Sequence, residues 1–270
     1  MKKYYISSSI ILVIGFIFII VGVVLGVSLN DYSFSLSFNN NYENETYNNN
    51  NDNIITELNI NTVNKNIIIN YSEDDKFKID YYINNKLEEV NDSFEDNILT
   101  FNIDSKKNFL FNYDDDYYIK VDINSNIKKL NINNINGYIY FNNLNIDELK
   151  IINVNGYIKG DNGIFNNLSL KNTNGKIKIN NLEFDEGSLI NEIGEIEIED
   201  TAFTKLDINN NIGKVDLNNP NIDYNFNLKL DVGSIEIDDK KVSNKYIENK
   251  GDSILNIKSS VGNIEIDKSN

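Results

Sequence analysis

From residue 130 onward the apolar positions fall on a fixed frame whose marker is glycine. Gly137, Gly156, Gly175, Gly194 and Gly213 stand nineteen residues apart, Gly233 follows after twenty and Gly262 after twenty-nine. Two residues after each glycine come Ile139, Ile158, Ile177, Ile196, Val215, Ile235 and Ile264. Four after come Phe141, Gly160, Ile179, Ile198, Leu217, Ile237 and Ile266. Seven before come Leu130, Leu149, Leu168, Gly187, Leu206, Phe226 and Leu255, and five before come Ile132, Ile151, Leu170, Leu189, Ile208, Leu228 and Ile257. Only Gly160 and Gly187 interrupt these columns.

Apolar residues two apart occupy one face of a strand, and the segments carrying them are short and separated by Asn, Asp and Gly. The helical i, i+3, i+4 rhythm is absent. A hairpin unit would satisfy the alternation locally without keeping the same column apolar through successive units. Stacked coils do both: parallel strands about 4.8 Å apart place like residues on one continuous interior. The pattern therefore predicts an all-β, parallel β-solenoid of nineteen-residue coils, right-handed as parallel crossovers usually are. Glycine marks the corner, where a positive φ is tolerated.

Two further columns refine this prediction. Asn134, Asn153, Asn172, Asn191 and Asn210 each stand three before their glycine and are expected to stack as a ladder of amides bonded to one another. The residue before glycine is Asn in the first three coils and Ile or Val in the last four, while Ile135, Val154 and Thr173 give way to Glu192, Asn211, Asp231 and Ser260 one place earlier. This exchange predicts a change of corner geometry between Gly175 and Gly194, with the inward residue shifted by one.

Upstream, ELNINTVNKNIII fits the frame with Lys65 in the glycine position, so Leu58, Ile60, Ile67 and Ile69 form an isolated first coil. The runs KFKIDYYI, NILTFNID and YYIKVDI read as an antiparallel meander capping the N-terminal end. No such cap follows Ile266; the insertion DDKKVSNKYIENKGDS is expected to fold over the far end.

The chain opens MKKYYISSSIILVIGFIFIIVGVVLGVSLND, with no charge between Lys3 and Asp31. That apolar run is long enough to cross about 30 Å of hydrocarbon as a helix, and Lys2 and Lys3 place its start in the cytoplasm. A cleaved signal peptide is the competing reading, though its apolar region is normally ~7–15 residues. The expected division is residues 1–5 cytoplasmic, 6–28 transmembrane anchor, 29–53 Asn-rich linker, 54–129 first coil and meander, and 130–270 solenoid repeats. The protein is thus expected at the cell membrane as a single-pass chain with its C-terminal domain outside.

Composition agrees with strands and narrows the chemistry. The 270 residues include sixteen Tyr and fourteen Phe, whereas Ala, the best helix former, occurs once. A formal charge of −16 argues against nucleic acid. With no Cys and no His, disulfides, thiolate sites and the commonest general base are excluded.

The NG-Y/K-I corners, the strands before them, and DVGSIEI answered by SVGNIEI resemble the bacterial adhesin-like β-strand-repeat family, a domain of unknown function in envelope proteins of Gram-positive type. The resemblance covers roughly residues 54–267. It implies a cell-surface β-solenoid, sometimes associated with cell-wall stress, and supplies no catalytic residues.

Candidate sites are few. Asp114–Asp116 and Glu73–Asp75 are dense in carboxylates but lack the spacing of a Ca²⁺ loop. Glu195, Glu197 and Glu199 alternate outward on one strand and could supply paired carboxylates for polysaccharide cleavage, yet no Arg, His or Trp accompanies them. Tyr138 over Tyr157 offers an aromatic contact patch. We therefore expect no catalytic residue, no cofactor and no metal. The expected function is a non-catalytic binding or structural module of the envelope, with a membrane through the helix and an envelope protein or cell-wall polymer as partners. The alternatives are an accessory of an envelope-stress signalling system and, behind it, a polysaccharide-active enzyme.

Overall fold

The structure is a computed structural model describing residues 42–48, 53–106, 118–218 and 224–268. The apolar segment expected to be an anchor and the Asp114–Asp116 cluster lie outside the described residues. Among the described residues no helix is long and apolar enough to cross a membrane, and the elements are all strands: β1 (Glu43–Asn48), β2 (Glu57–Asn64), β3 (Asn66–Tyr71), β4 (Lys78–Ile83), β5 (Glu88–Glu95), β6 (Ile98–Ser105), β7 (Tyr118–Ile123), β8 (Lys129–Asn145), β9 (Glu148–Glu199), β10 (Ala202–Asn218), β11 (Tyr224–Ile237), β12 (Lys240–Val242), β13 (Lys245–Asn249) and β14 (Ser253–Asp267).

The coils stack in parallel and in the expected register. Gly137 pairs with Gly156 and Ile139 with Ile158; Gly213 pairs with Gly194 and Val215 with Ile196. β9 winds through successive coils, so a Cβ added to Gly175 would lie 1.9 Å from the Gly156 carbonyl oxygen. The four apolar columns are buried, each side chain contributing about 1.5–3 kcal/mol. A fifth column escapes a reading based on alternation alone. Ile146, Phe165, Phe184 and Phe203 recur at nineteen residues and are buried, forming a short third side of the coil. Phe184 stacks on Phe203, and Phe203 on Tyr224, at 5.7 and 5.3 Å. The turn before this side is made by Asn143, Asn162, Asn181 and Asp200, with φ of 54°, 51°, 52° and 44°, the left-handed region that Asn and Asp tolerate best.

The two glycines that interrupt the columns are packing solutions. The ring of Phe141 fills the space over Gly160, where a Cβ would lie 2.1 Å from its Cζ. The ring of Phe184 does the same at Gly187, at 2.4 Å.

Four expectations are corrected. First, the upstream strands are only partly an antiparallel meander. β6 and β7 pair in parallel with β2 and β3 and constitute a further coil. The antiparallel cap proper is β5 on β6, β4 on β7 and β1 on β4. β1 itself arises within the expected linker, where Tyr47 packs against Phe77 and Phe101 at 6.3 and 5.9 Å. Second, the last coil does not lie at the end of the stack. β14 pairs on one side with β10 and on the other with β11, while β12 and β13 pair antiparallel with β11 and cover it. The insertion therefore caps the stack, as expected, and the chain then returns to fill the gap beneath.

Third, the inward residue does not shift by one between Gly175 and Gly194: Asn172 and Asn191 are both buried, and the glycine φ values are 128° and 134°. What changes is the inward amide's second bond, which moves from the carbonyl two residues on, Asn153 to Asn155, to the carbonyl four residues on, Asn210 to Lys214. The residue before glycine faces outward throughout. Asn64, Asn136, Asn155 and Asn174 form an amide ladder there, with Nδ2-to-Oδ1 distances of 2.6, 2.7 and 2.9 Å. Ile193, Ile212, Val261 and Val232 continue it as an exposed aliphatic column. Fourth, the inward Asn column stacks but is not bonded amide to amide. Asn153 Nδ2 donates to the Gly137 carbonyl at 3.1 Å and Asn172 Nδ2 to the Gly156 carbonyl at 3.0 Å. Buried corner carbonyls need such a donor, and Asn134, Asn153, Asn172, Asn191 and Asn210 supply it, whereas Leu230 and Ser259 hold that position in the last two coils.

Lys65 opens the glycine column. It is 2 % exposed, and its ammonium donates to Glu88 Oε2 at 2.9 Å and to the Tyr82 carbonyl at 2.8 Å. Burial pulls the Lys65 pKa below the ordinary lysine value, against the opposing pull of Glu88. Lys65→Met should therefore destabilise by about 1–3 kcal/mol, because it leaves the half-buried Glu88 carboxylate without its counter-charge. Lys65→Met with Glu88→Gln should recover most of that loss in denaturant unfolding.

Candidate binding face

The side of the coil that follows the glycine corner alternates inward aliphatics with outward Tyr, Lys and Glu. In-register stacking converts that alternation into vertical columns. Tyr138 lies over Tyr157 with ring centroids 5.3 Å apart, and Tyr140 extends the patch sideways, 6.2 Å from Tyr138 and nearly parallel to it. Lys159 stands 5.2 Å from the Tyr140 ring, a cation–π contact, and is held there by Asp161 at 2.7 Å. Burial raises the phenol pKa of Tyr138 and Tyr157, and burial with the Asp161 charge raises that of Tyr140. These rings therefore stay neutral and present apolar bodies with hydroxyl tips. Beyond Asn66, whose side-chain oxygen accepts from the Tyr138 backbone N–H at 2.8 Å, Tyr118 and Tyr82 continue the aromatic column at 5.5 Å from each other.

Toward the other end the same face becomes a lattice of lysines and carboxylates. Lys176 pairs with Glu195 at 3.0 Å and with Glu197, and Lys178 pairs with Glu197 and, at 3.0 Å, with Glu199. Burial alone would raise the Glu197 carboxyl, but hydrogen bonds from Lys176 and Lys178 bring it down to about 2. A glycosidase acid must keep its proton near neutral pH; Glu197 is ionised there. These three carboxylates, which the sequence offers for polysaccharide cleavage only to be set aside, are thus brought together with lysine counter-charges, an arrangement suited to holding adjacent rungs in register.

Glu73, Asp74 and Asp75 sit on the turn between β3 and β4. Hydrogen bonds from Lys76 and then Ser72 hold the Asp74 carboxyl at about 2. Asp75 accepts from the Ser125 backbone N–H at 2.6 Å and hydroxyl at 2.9 Å and has φ 55°. Its carboxylate fixes a turn. Among the described residues no cluster of acidic side chains is placed to hold a metal ion.

Corners of stacked glycine, αL Asn turns and two long sides per coil give the fold its signature, and the sequence pattern of the Toastrack DUF4097 family matches residues 55–270. The chain belongs to this family. No curated protein matches its sequence. Among solved structures, a candidate adhesin of Bacteroides fragilis is 13% identical with a TM-score of 0.47, covering 83% of this chain and 96% of that one. A candidate cell adhesion protein of Clostridium sporogenes is 14% identical with a TM-score of 0.35, covering 84% and 98%. A structure from Parabacteroides distasonis described as a candidate lipid-binding protein is 14% identical with a TM-score of 0.39, covering 86% and 96%.

In this Toastrack chain the sequence names Tyr138 and Tyr157 but passes over Tyr140, Tyr118 and Tyr82. Tyr140 was available from the same alternation, two residues beyond Tyr138 on one face. The other two belong to strands whose place in the stack no nineteen-residue spacing reveals.

Proposed function

We propose that this Toastrack protein is a non-catalytic display module of the cell envelope, anchored through residues 6–28, with its solenoid outside the cell and its tyrosine face turned to an envelope polymer or protein. The observation that carries this reading is the half-buried cluster of Tyr138, Tyr140 and Tyr157 on a rigid sheet. Aromatic side chains with few rotatable bonds supply contact area at small entropic cost, and strands paired on both sides hold them in place. The lysine-bound state of Glu195, Glu197 and Glu199 speaks against glycoside cleavage on this face.

Replacing Tyr138, Tyr140 and Tyr157 together by Ala should lower retention of the purified chain on isolated cell-wall preparations by about tenfold or more, the scale of a few clustered hot spots. An unrelated transmembrane helix substituted for residues 6–28 should leave retention unchanged. Unaltered retention in the triple variant would remove the reading; a wall-stress response abolished by exchanging the helix would favour signalling through the membrane segment.

A further inference from the structure

The long side of the coil that precedes the glycine corner carries a different feature. Lys258 on β14 pairs directly with Lys229 on β11, and Lys229 pairs directly with Lys245 on β13. Three exposed lysines thus stand in one column on three adjacent strands, whose backbones lie about 4.8 Å apart in the hydrogen-bonding direction. Like charges placed opposite one another across a ladder are destabilising. The chain has 41 acidic residues against 25 basic ones, so carboxylates are not scarce. On the tyrosine side Lys176, Lys178 and Lys214 each pair with a carboxylate of a neighbouring coil. On this side Lys229 reaches only Asp231, at 3.8 Å, and among the described residues Lys245 and Lys258 make no ion pair.

A groove of about 330 Å³ runs beside the column, where Lys229, Lys258, Asn209, Asn227 and Asn256 line it together with aliphatic side chains such as Ile190. Its one carboxylate, Asp207, is occupied by Asn256 at 2.7 Å and Lys205 at 3.1 Å. A second hollow of about 570 Å³ continues past Asn227 and Asn256 to Ile247 and Ile254. Lysine recognises anions as a compact point charge, and side-chain amides and hydroxyls exchange hydrogen bonds with hydroxyl groups. No aromatic ring lines the 330 Å³ groove, so it offers no stacking platform for nucleobases.

We infer that the Lys258–Lys229–Lys245 column and its groove form a binding site for a linear anionic polymer bearing hydroxyl groups, of the acidic-polysaccharide or polyol-phosphate type. The anionic groups neutralise the lysine column, and the hydroxyls lie along the amides of Asn209, Asn227 and Asn256. The site is on the other long side of the coil from Tyr138, so it stands or falls independently of the tyrosine face.

The test titrates the purified full chain with polygalacturonate, poly(glycerol phosphate), neutral dextran and poly-glutamate at low and moderate salt. At least one of the two hydroxyl-bearing anions should bind, weakening as salt rises; which one binds distinguishes carboxylate from phosphate. Dextran should not bind, and poly-glutamate should bind at least tenfold more weakly. Lys229→Glu with Lys258→Glu should lower affinity at least tenfold, while Lys120→Glu, on the opposite side, should leave it unchanged. Lys229→Gln with Lys258→Gln should melt no lower than the native chain, because it relieves like-charge repulsion. Failure of both hydroxyl-bearing polymers to bind, equal binding of poly-glutamate, or equal loss with Lys120→Glu would overturn the site. A lower melting point in the glutamine variant would overturn the charge argument beneath it.

Discussion

Gly194→Ala should cost about 4 kcal/mol or more, a loss reserved for gross steric or backbone conflict, and lower the melting temperature by about 10 °C or more. The residue has φ 134°, outside the range L side chains adopt readily, and its added Cβ would lie 1.8 Å from the Gly175 carbonyl oxygen. Neither conflict can be relieved locally. Gly175 is itself stacked on Gly156, and Gly213 would meet the Gly194 carbonyl at 1.8 Å, so moving one corner displaces the column. The same substitution at Gly163, where φ is not positive and the nearest contact, at 2.8 Å, is the edge of the Phe165 ring, should cost far less. Thermal unfolding of the two variants side by side separates corner strain from a general sensitivity to losing glycine.

The second large effect runs against the repeat itself. The column four after glycine is aliphatic almost throughout, so a consensus design would write Ile at residue 160. Gly160→Ile should destabilise by about 3 kcal/mol, at the upper end for overpacking, because the Phe141 ring already occupies that volume. Phe141→Ile alone leaves a void and should cost about 1–3 kcal/mol. Combined, the two restore an ordinary aliphatic column and should lose much less than their sum, with a coupling energy of about 2 kcal/mol in denaturant unfolding. Strict additivity would mean that residues nineteen apart are not vertical neighbours.

Much of the architecture was legible because stacking repeats the same demand on the same residue. The glycine corners, four apolar columns and the isolated first coil all express such a demand, and Lys65 indeed occupies the position beneath Gly137, whose Cβ would lie 2.2 Å from the Lys65 carbonyl. What stayed hidden was order. The coil of β6 and β7 and the coil of β14 are inserted next to strands remote in sequence, and spacing along a chain carries no information about which gap a returning segment fills. Ile193 and Ile212 misled for another reason. Hydrophobicity suggests inwardness, yet the position before each glycine faces solvent whether it holds Asn or Ile. The inward Asn residues were recognised as a column, but their partners are backbone carbonyls that no side-chain pattern displays. The tyrosine face was half visible, and the lysine column was invisible, since Lys245 and Lys258 become neighbours of Lys229 only through the insertion of β14 and the cap strand β13.

The stacking order is therefore the claim to test most directly. The chain has no Cys, so pairs of spin labels can be placed cleanly at Lys214→Cys with Asn263→Cys and at Lys214→Cys with Ser234→Cys. Lys214 pairs with Asn263, and Asn263 with Ser234, so the first pair should be one strand spacing apart, about 5 Å between backbones, and the second two, about 10 Å. Stronger dipolar broadening for 214/263 than for 214/234, although Ser234 is nearer in sequence, is the predicted result. The reverse order would contradict the inserted coil, and no coupling in either pair would contradict the stack.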